Sequence, residues 1–174
     1  MRVYSDFVSF AAHLERMALM GTEMTEIIAD AAAIKIRDDA KAKLGGYQEA
    51  AGPFPAWAPL AAATQSERVQ LGFTANDPLL RSGQLRDAIA LTLTSEGAVI
   101  GVPHGPHIEP DGRVEDVGDI ALQMEVGGRA PPRPFLGPAA FQSKHAVSRI
   151  AARAVIAWLI GENFLHPPQS IKLP

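Results

Sequence analysis

Three side chains near the middle of the chain, His104, His107 and Glu109, are of types that bind metal ions. They form the pattern HxxHxE within the segment VPHGPHIEPDG. Imidazole nitrogens and carboxylate oxygens are ligands of divalent ions such as Zn²⁺, and a bound ion of this kind activates water for hydrolysis. Glycine and proline interrupt the segment, so a solvated loop is the favoured interpretation. We predict no metal and no other cofactor, and keep a small metal-dependent hydrolase as an alternative.

No arrangement of a nucleophile with a base is evident elsewhere in the sequence. Ser82 lies in RSGQ, which lacks the GxSxG pattern of a nucleophile elbow. The glycines at 127 and 128 belong to neither of the glycine-rich phosphate-binding patterns. The paired carboxylates Asp38 and Asp39 are interpreted as solvated surface, because general acid–base work requires burial. We therefore predict that the protein is not an enzyme.

Composition and charge exclude several classes of protein. A net charge of −3 and a pI near 5.9 argue against a dedicated nucleic-acid binder, which carries a basic stripe. The absence of cysteine excludes disulfides and thiolate metal sites. No signal peptide and no membrane span are predicted, because no sufficiently long apolar run occurs. A chain of 174 residues is enough for one core, so we expect a single domain over residues 1–174.

A long N-terminal helix is predicted over residues 5–44, where apolar residues recur at spacings of three and four. Ser5 can cap its start, and the glycines at 45 and 46 can end it. Gly21 divides the periodic stretch, so one bent helix and two consecutive helices are both acceptable.

A second long helix is predicted over residues 138–160, with Pro138 at its first position. The prolines at 167 and 168 prevent its continuation. The remaining tail, residues 161–174, is apolar and proline-stiffened. It is interpreted either as an extended arm that grips a neighbouring subunit or as a frayed end.

Shorter elements are predicted between the two long helices. Short helical pieces are expected at residues 60–69 and 84–88, with a helical turn opening at Pro78. Alternating apolar residues at 89–94 and 98–102 predict a β-hairpin.

Residues 101–138 are rich in glycine and proline and are expected to form a long loop. Within this loop, residues 119–126 fit a strand, or a short helix capped by Asp119, equally well. The whole pattern predicts an α+β fold, with a long N-terminal helix and a C-terminal helix packed on a small antiparallel sheet.

Two passages carry ordered motifs. The first contains Trp-x-x-Leu, then Pro-Leu and Ser-Gly-x-Leu before the predicted hairpin; the second contains Glu-x-Gly and then PPRPFL before the last helix. The motif positions are Trp57, Leu60, Pro78, Leu79, Ser82, Gly83, Leu85, Ile89, Glu125, Gly127, Pro132, Arg133, Pro134, Phe135, Leu136 and Pro138. Over residues 50–160 this order resembles the phage virion-morphogenesis family of tail-completion and head–tail joining proteins. Residues 103–119 depart from the family pattern.

The PPRPFL stretch has a physical interpretation of its own. Its prolines fix φ and reduce the entropy lost when the segment becomes ordered. Phe135 and Leu136 form an apolar pair that is expected to enter the core and anchor the last helix. Arg133 is expected to bind carbonyl or carboxylate oxygens, either within the subunit or in the next one.

The resemblance implies a structural virion protein that forms a homo-oligomeric ring, expected to be hexameric, at the head-proximal end of a phage tail. Its implied partners are the tail-tube protein and the head-completion or connector proteins, with DNA passing through the lumen without specific binding. It implies a virion location, after assembly in the cytoplasm of a bacterial host, and no membrane. A head-completion protein that plugs the portal and a general protein-binding adaptor are alternatives, besides the hydrolase based on His104, His107 and Glu109.

Overall fold

The structure, a computed structural model, describes residues 6–128 and 130–160 of the chain. Their contacts divide them into two units, one of residues Ala33–Lys144 and the other of residues 6–32 with 145–160. A long N-terminal helix, C-terminal helices and small antiparallel sheets confirm the α+β class. That the chain folds as one domain stays a prediction, and the predicted arm at residues 161–174 lies outside the described residues.

The first helix, α1 (Phe7–Lys43), is a single element of 37 residues that includes Gly21. The side chain of Asp6 caps its start, because its Oδ1 accepts the backbone N–H of Ser9 at 2.7 Å. The expected cap, Ser5, lies outside the described residues. The helix ends before Gly45 (φ +100°), whose N–H donates to the carbonyl of Pro78 at 2.9 Å, as the glycine pair predicts.

Two short helices, α2 (Ala62–Gln70) and α3 (Gln84–Ala88), confirm the predicted helical pieces. The prediction of a helical turn at Pro78 is wrong. Leu79 takes a left-handed conformation (φ +59°), which no α-helix contains, so the chain turns there instead.

The predicted hairpin is confirmed by β1 (Ala90–Thr94) and β2 (Gly97–Gly101), which pair antiparallel with Thr94 opposite Gly97. A second hairpin, β3 (Pro106–Ile108) and β4 (Val114–Asp116), lies inside the stretch that was expected to be loop. It forms because Gly112 adopts φ +85° after Asp111, an Asp-Gly turn that suits a hairpin. The antiparallel structure is therefore two separate two-stranded sheets.

The ambiguous segment after the second hairpin is a helix, α4 (Val117–Val126). Its cap is Asp116 and not Asp119: the carboxylate of Asp116 accepts the backbone N–H groups of Gly118 and Asp119 at 2.8 and 3.1 Å.

The single C-terminal helix of the prediction is two helices, α5 (Leu136–Gln142) and α6 (Lys144–Ile160). They are separated at Ser143, whose hydroxyl lies 2.7 Å from the Ala139 carbonyl and 2.6 Å from Asp39 Oδ2. Side-chain bonds of this kind compete with helical continuation. The expectation that Pro138 occupies the first helical position is also wrong, since α5 begins two residues earlier.

The buried core lies within the unit of residues 33–144. Apart from Trp57, the core residues come from the end of α1, from α3 and the residue that follows it, from α4, and from α5 and the residue that precedes it. Its members are Ala40, Leu44, Trp57, Leu85, Ile89, Val117, Ala121, Phe135 and Ala139. Trp57 of the first motif passage and Phe135 of the second thus meet in one core.

The other unit contains the first part of α1 and α6. Trp158 Nε1 donates to the carbonyl of Met17 at 3.1 Å. Large apolar side chains are exposed along both helices, among them Phe7 at 80%, Leu19 at 78% and Ile156 at 57%. In the described part of the chain, no helix combines the length and the apolar character needed to cross a membrane.

Candidate functional site

The second motif passage is held by the carboxylate of Glu125, which α4 places opposite the start of α5. Glu125 Oε2 accepts the backbone N–H groups of Phe135 and Leu136 at 2.8 and 3.0 Å, and Oε1 accepts that of Gly137 at 2.8 Å. These are amides of a helix N-terminus, which has no intrahelical partner for them. A charged acceptor on three such donors fixes the direction in which α5 leaves the core.

Two glycines make this arrangement possible. Gly127 has φ +88°, which turns the chain after α4, and a Cβ there would lie 3.2 Å from the Pro132 ring. At Gly137, a Cβ would lie 2.5 Å from the Phe54 ring and 3.0 Å from Glu125 Oε1. Any side chain at position 137 would therefore push apart the ring and the carboxylate.

The first motif passage contacts the second directly. Trp57 Nε1 donates to the carbonyl of Pro134 at 2.9 Å. The guanidinium of Arg133, which is 5% exposed, donates to the carbonyls of Ala58 and Pro59 at 3.1 to 3.3 Å. We call this set, Trp57, Glu125, Arg133 and Phe135, the motif clamp.

The motif clamp places the predicted motif residues as follows. Phe135 is fully buried and Leu136 packs against the core, which agrees with the expected anchoring of the last helix. Arg133 binds carbonyl oxygens of its own chain. Leu60 and Leu85 are buried, and Gly83 has φ +87° just before α3.

A cavity of about 560 Å³ opens beside the motif clamp. Its walls include motif residues from both passages, among them Leu60, Leu79 and Arg133, together with α2 and the β3–β4 hairpin. This volume is in the range of small-molecule sites. Because three guanidinium groups, those of Arg68, Arg81 and Arg133, line it, we call it the arginine cavity.

The arginines of this cavity differ in how their charge is balanced. Arg68 is 8% exposed and donates through Nη1 to the carbonyl of Asp77 at 2.6 Å. Burial lowers the pKa of Arg68, and the neighbouring Arg81 and Arg133 lower it further, against a smaller opposing effect of Asp77. Arg81 forms an ion pair with Glu109. Among the described residues, no carboxylate lies within 4.0 Å of Arg68 or Arg133.

The structure separates the three residues of the HxxHxE pattern. His107 is 7% exposed, its Nε2 lies 3.3 Å from Glu109 Oε1, and both residues line the arginine cavity. The solvated-loop interpretation is therefore wrong for these two. His104 is exposed and its Nδ1 lies 3.0 Å from Asp116 Oδ1.

One group of candidate metal ligands was not predicted. In the described ranges, His104, Asp116 and Asp119 offer ligand atoms that all lie within 4.8 Å of one another, and this group excludes His107 and Glu109. Burial raises the pKa of the Asp116 carboxyl, but hydrogen bonds from Asp119, His104 and Gly118 outweigh it, so the pKa is below its usual range. The Asp116 carboxylate is thus already occupied by the cap of α4, the backbone N–H of Gly105 and the His104 ring.

Sequence reasoning missed Arg68 and Arg81. Each is an ordinary surface-type residue in its local sequence, and the cavity exists only because α2, the turn at Leu79 and the PPRPFL segment meet in the fold. Arg68 follows Gln65, Ser66 and Glu67 in a polar stretch of α2, so the local sequence resembles that of a solvated helix.

The chain matches no protein-family model, no curated protein and no solved structure. The resemblance to the phage virion-morphogenesis family therefore rests on the motif residues themselves.

Proposed function

We propose that the protein is a non-catalytic structural subunit of a tailed phage or phage-like particle, which forms a ring at the head-proximal end of the tail. The observation that carries this proposal is the motif clamp. The two passages that resemble the virion-morphogenesis family are contiguous in space, joined by Trp57 to Pro134 and by Arg133 to Ala58 and Pro59. The motifs are therefore a coherent signature of one fold, which supports the resemblance.

The polar groups of the motif clamp support a structural role. A catalytic group must reach a reacting atom of a substrate. Glu125 instead binds three backbone amides, and Trp57 and Arg133 bind backbone carbonyls. These side chains hold backbone segments in place, and a subunit with repeated interfaces requires such a rigid backbone.

Exposed apolar side chains on the hairpins supply surfaces for such interfaces. Ile108 and Val114 are cross-strand partners in the second hairpin and are 58% and 65% exposed. Leu93 and Val99 on the first hairpin are 57% and 60% exposed. Single exposed apolar residues are ordinary, but the cross-strand pair of Ile108 and Val114 forms a patch that association would cover.

In the proposed role, the ring caps the growing tail tube and presents a docking surface to the head. Its binding energy is distributed over identical interfaces, as in other symmetric oligomers. One face would contact the tail-tube protein and the other the head-completion or connector proteins. A net charge of −3 would favour free passage of DNA through the lumen, since like charges repel.

The test is to delete the gene and to image the resulting particles by electron microscopy, with a plasmid-borne copy as the complementation control. Filled heads beside free tails of irregular or excessive length are expected. Tails of normal length beside heads that have lost their DNA would instead assign the protein to head closure. Intact, infectious particles would overturn the structural role and leave the hydrolase as the alternative to pursue.

A further inference from the structure

Two guanidinium groups of the arginine cavity, those of Arg68 and Arg133, have no ion-pair partner among the described residues, although the carboxylates of Glu109 and Glu115 also line the cavity. Arg68 is buried and uses Nη1 on a carbonyl, while its remaining N–H groups have no partner among the described residues. Arg133 likewise donates to carbonyls only. The buried ring of His107, in the same cavity wall, has no hydrogen-bond partner for Nδ1 in the described part of the chain. Desolvated guanidinium groups attract a carboxylate, which they bind in a forked geometry.

The same cavity is also apolar over much of its wall. Leu60, Leu79, Ile120 and Met124 contribute to this part of the wall. Leu79 is held there in a left-handed backbone conformation that is costly for a non-glycine residue. A matching occupant carries a carboxylate together with apolar side chains.

The tip of the β1–β2 hairpin has this chemistry. Glu96 is exposed at the turn, and within the described residues it has no ion-pair partner. Thr94 orders the turn, because its Oγ1 lies 3.3 Å from both the Glu96 N–H and the Gly97 carbonyl. The exposed Leu93 and Val99 point to opposite faces of the hairpin, so the tip is apolar on both sides.

We infer that the arginine cavity is the docking site for the β1–β2 hairpin tip of a second copy of this chain, with Glu96 placed against Arg68 and Arg133. The inference rests on the proposed ring and specifies its subunit contact. Cavity and hairpin are different surfaces, so the contact is head-to-tail and repeats from copy to copy. Such heterologous contacts close into a ring when the rotation between subunits permits.

The first variant neutralises part of the positive charge of the arginine cavity with a carboxylate from the same subunit. Thr64 lies four residues before Arg68 on α2, and both line the cavity. Thr64→Glu therefore places a carboxylate one helical turn from Arg68, and an acidic residue in the first turn also favours the helix. Thr64→Gln is the matched neutral control. Measured by light scattering of the full-length chain across concentrations, Thr64→Glu is expected to weaken self-association roughly 30-fold or more, as for loss of a buried interfacial charge pair.

The second variant reverses the charge of the occupant. Glu96→Lys is expected to weaken self-association as strongly, whereas Glu49→Lys, at another exposed position, is expected to leave it unchanged. The double variant Thr64→Glu with Glu96→Lys restores one pair of opposite charges across the contact, while Arg68 and Arg133 stay positive. It is expected to associate more tightly than the Glu96→Lys variant alone, which a merely misfolded variant would not do.

The outcomes separate this contact from the proposed function. A wild-type chain that stays monomeric, or single variants that associate like wild type, would overturn the hairpin docking, while the deletion phenotype still tests the structural role. If Thr64→Glu blocks particle assembly but Glu96→Lys does not, the cavity binds a different acidic segment and the docking is likewise overturned.

Discussion

At the scale of single residues, the fold depends on polar side chains that bind backbone groups. Trp57 and Arg133 connect segments that are distant in sequence, and Glu125 connects α4 to the start of α5. Buried backbone groups must be paired, so the loss of one such side chain leaves several groups without partners at once. The consequence is larger than the loss of one ordinary hydrogen bond.

Glu125→Ala is expected to lower the free energy of unfolding by about 3 kcal/mol, because three amides at the start of α5 lose their acceptor. Glu125→Gln keeps one acceptor oxygen and the same shape, and is expected to cost about half as much. Urea unfolding of both variants, monitored by circular dichroism, measures the difference. An alanine variant as stable as wild type would show that the motif clamp does not stabilise the fold.

At the scale of elements, the junction between α1 and α5 carries an ionisable link. Asp39 on α1 lies 2.5 Å from the amine of Lys35 and 2.6 Å from the Ser143 hydroxyl, which follows α5. Burial raises the pKa of the Asp39 carboxyl, but hydrogen bonds from Lys35 and Ser143 and the charges of Lys35 and Lys43 together lower it below its usual 3.8.

This lowered pKa gives a prediction with a definite sign. A carboxyl whose pKa is lower in the folded state stabilises the fold above the unfolded value near 3.8, and that contribution is lost as the pH falls through the folded value. Asp39→Asn is therefore expected to be less stable than wild type at pH 7 and to lose less stability on acidification. Urea unfolding at a series of pH values compares the two slopes. Parallel curves would show that Asp39 has no part in the acid sensitivity.

The elements differ in how far the sequence predicts them. Apolar periodicity predicts α1 and the β1–β2 hairpin, because each is long enough to show its period. The strands of the second hairpin have three residues each, too few for an alternating pattern, so the stretch was predicted to be a loop. The Asp-Gly pair at 111 and 112 is the local feature that favours a hairpin turn there. The break between α5 and α6 was missed because it depends on the contact of Ser143 with Asp39, 104 residues away.

The candidate site is less predictable still. The sequence identifies Arg133 and Leu79 through their motifs, yet Arg68 and Arg81 reach the same cavity from α2 and from the turn before α3. Nothing in the local pattern indicates a tertiary convergence of this kind. Likewise, His104 and His107 are neighbours in sequence, but the β3–β4 hairpin places only His107 in the cavity wall.

At the scale of the whole molecule, the two units differ in how they bury apolar surface. All nine residues of the core cluster belong to residues 33–144. In the other unit the described helical segments expose Phe7, Leu19, Ile156 and Leu159 by 80%, 78%, 57% and 51%. Local stability follows buried apolar contact, so the two units are expected to open with different free energies.

Hydrogen exchange followed by mass spectrometry is expected to show this difference in the dissociated chain. Amides of α4 and of α1 after Ala33 should exchange slowly, and those of α6 faster, because α6 has no fully buried residue among those described.

In assembled particles, the apolar faces of the unit that contains α6 should gain protection if subunit or partner contacts cover them. The Glu96→Lys variant provides the control, since a chain that cannot dock should retain the exchange pattern of the dissociated state. Equal protection of both units before assembly would contradict the assignment of the stable core to residues 33–144. If the exposed faces gain no protection on assembly, they are not interfaces.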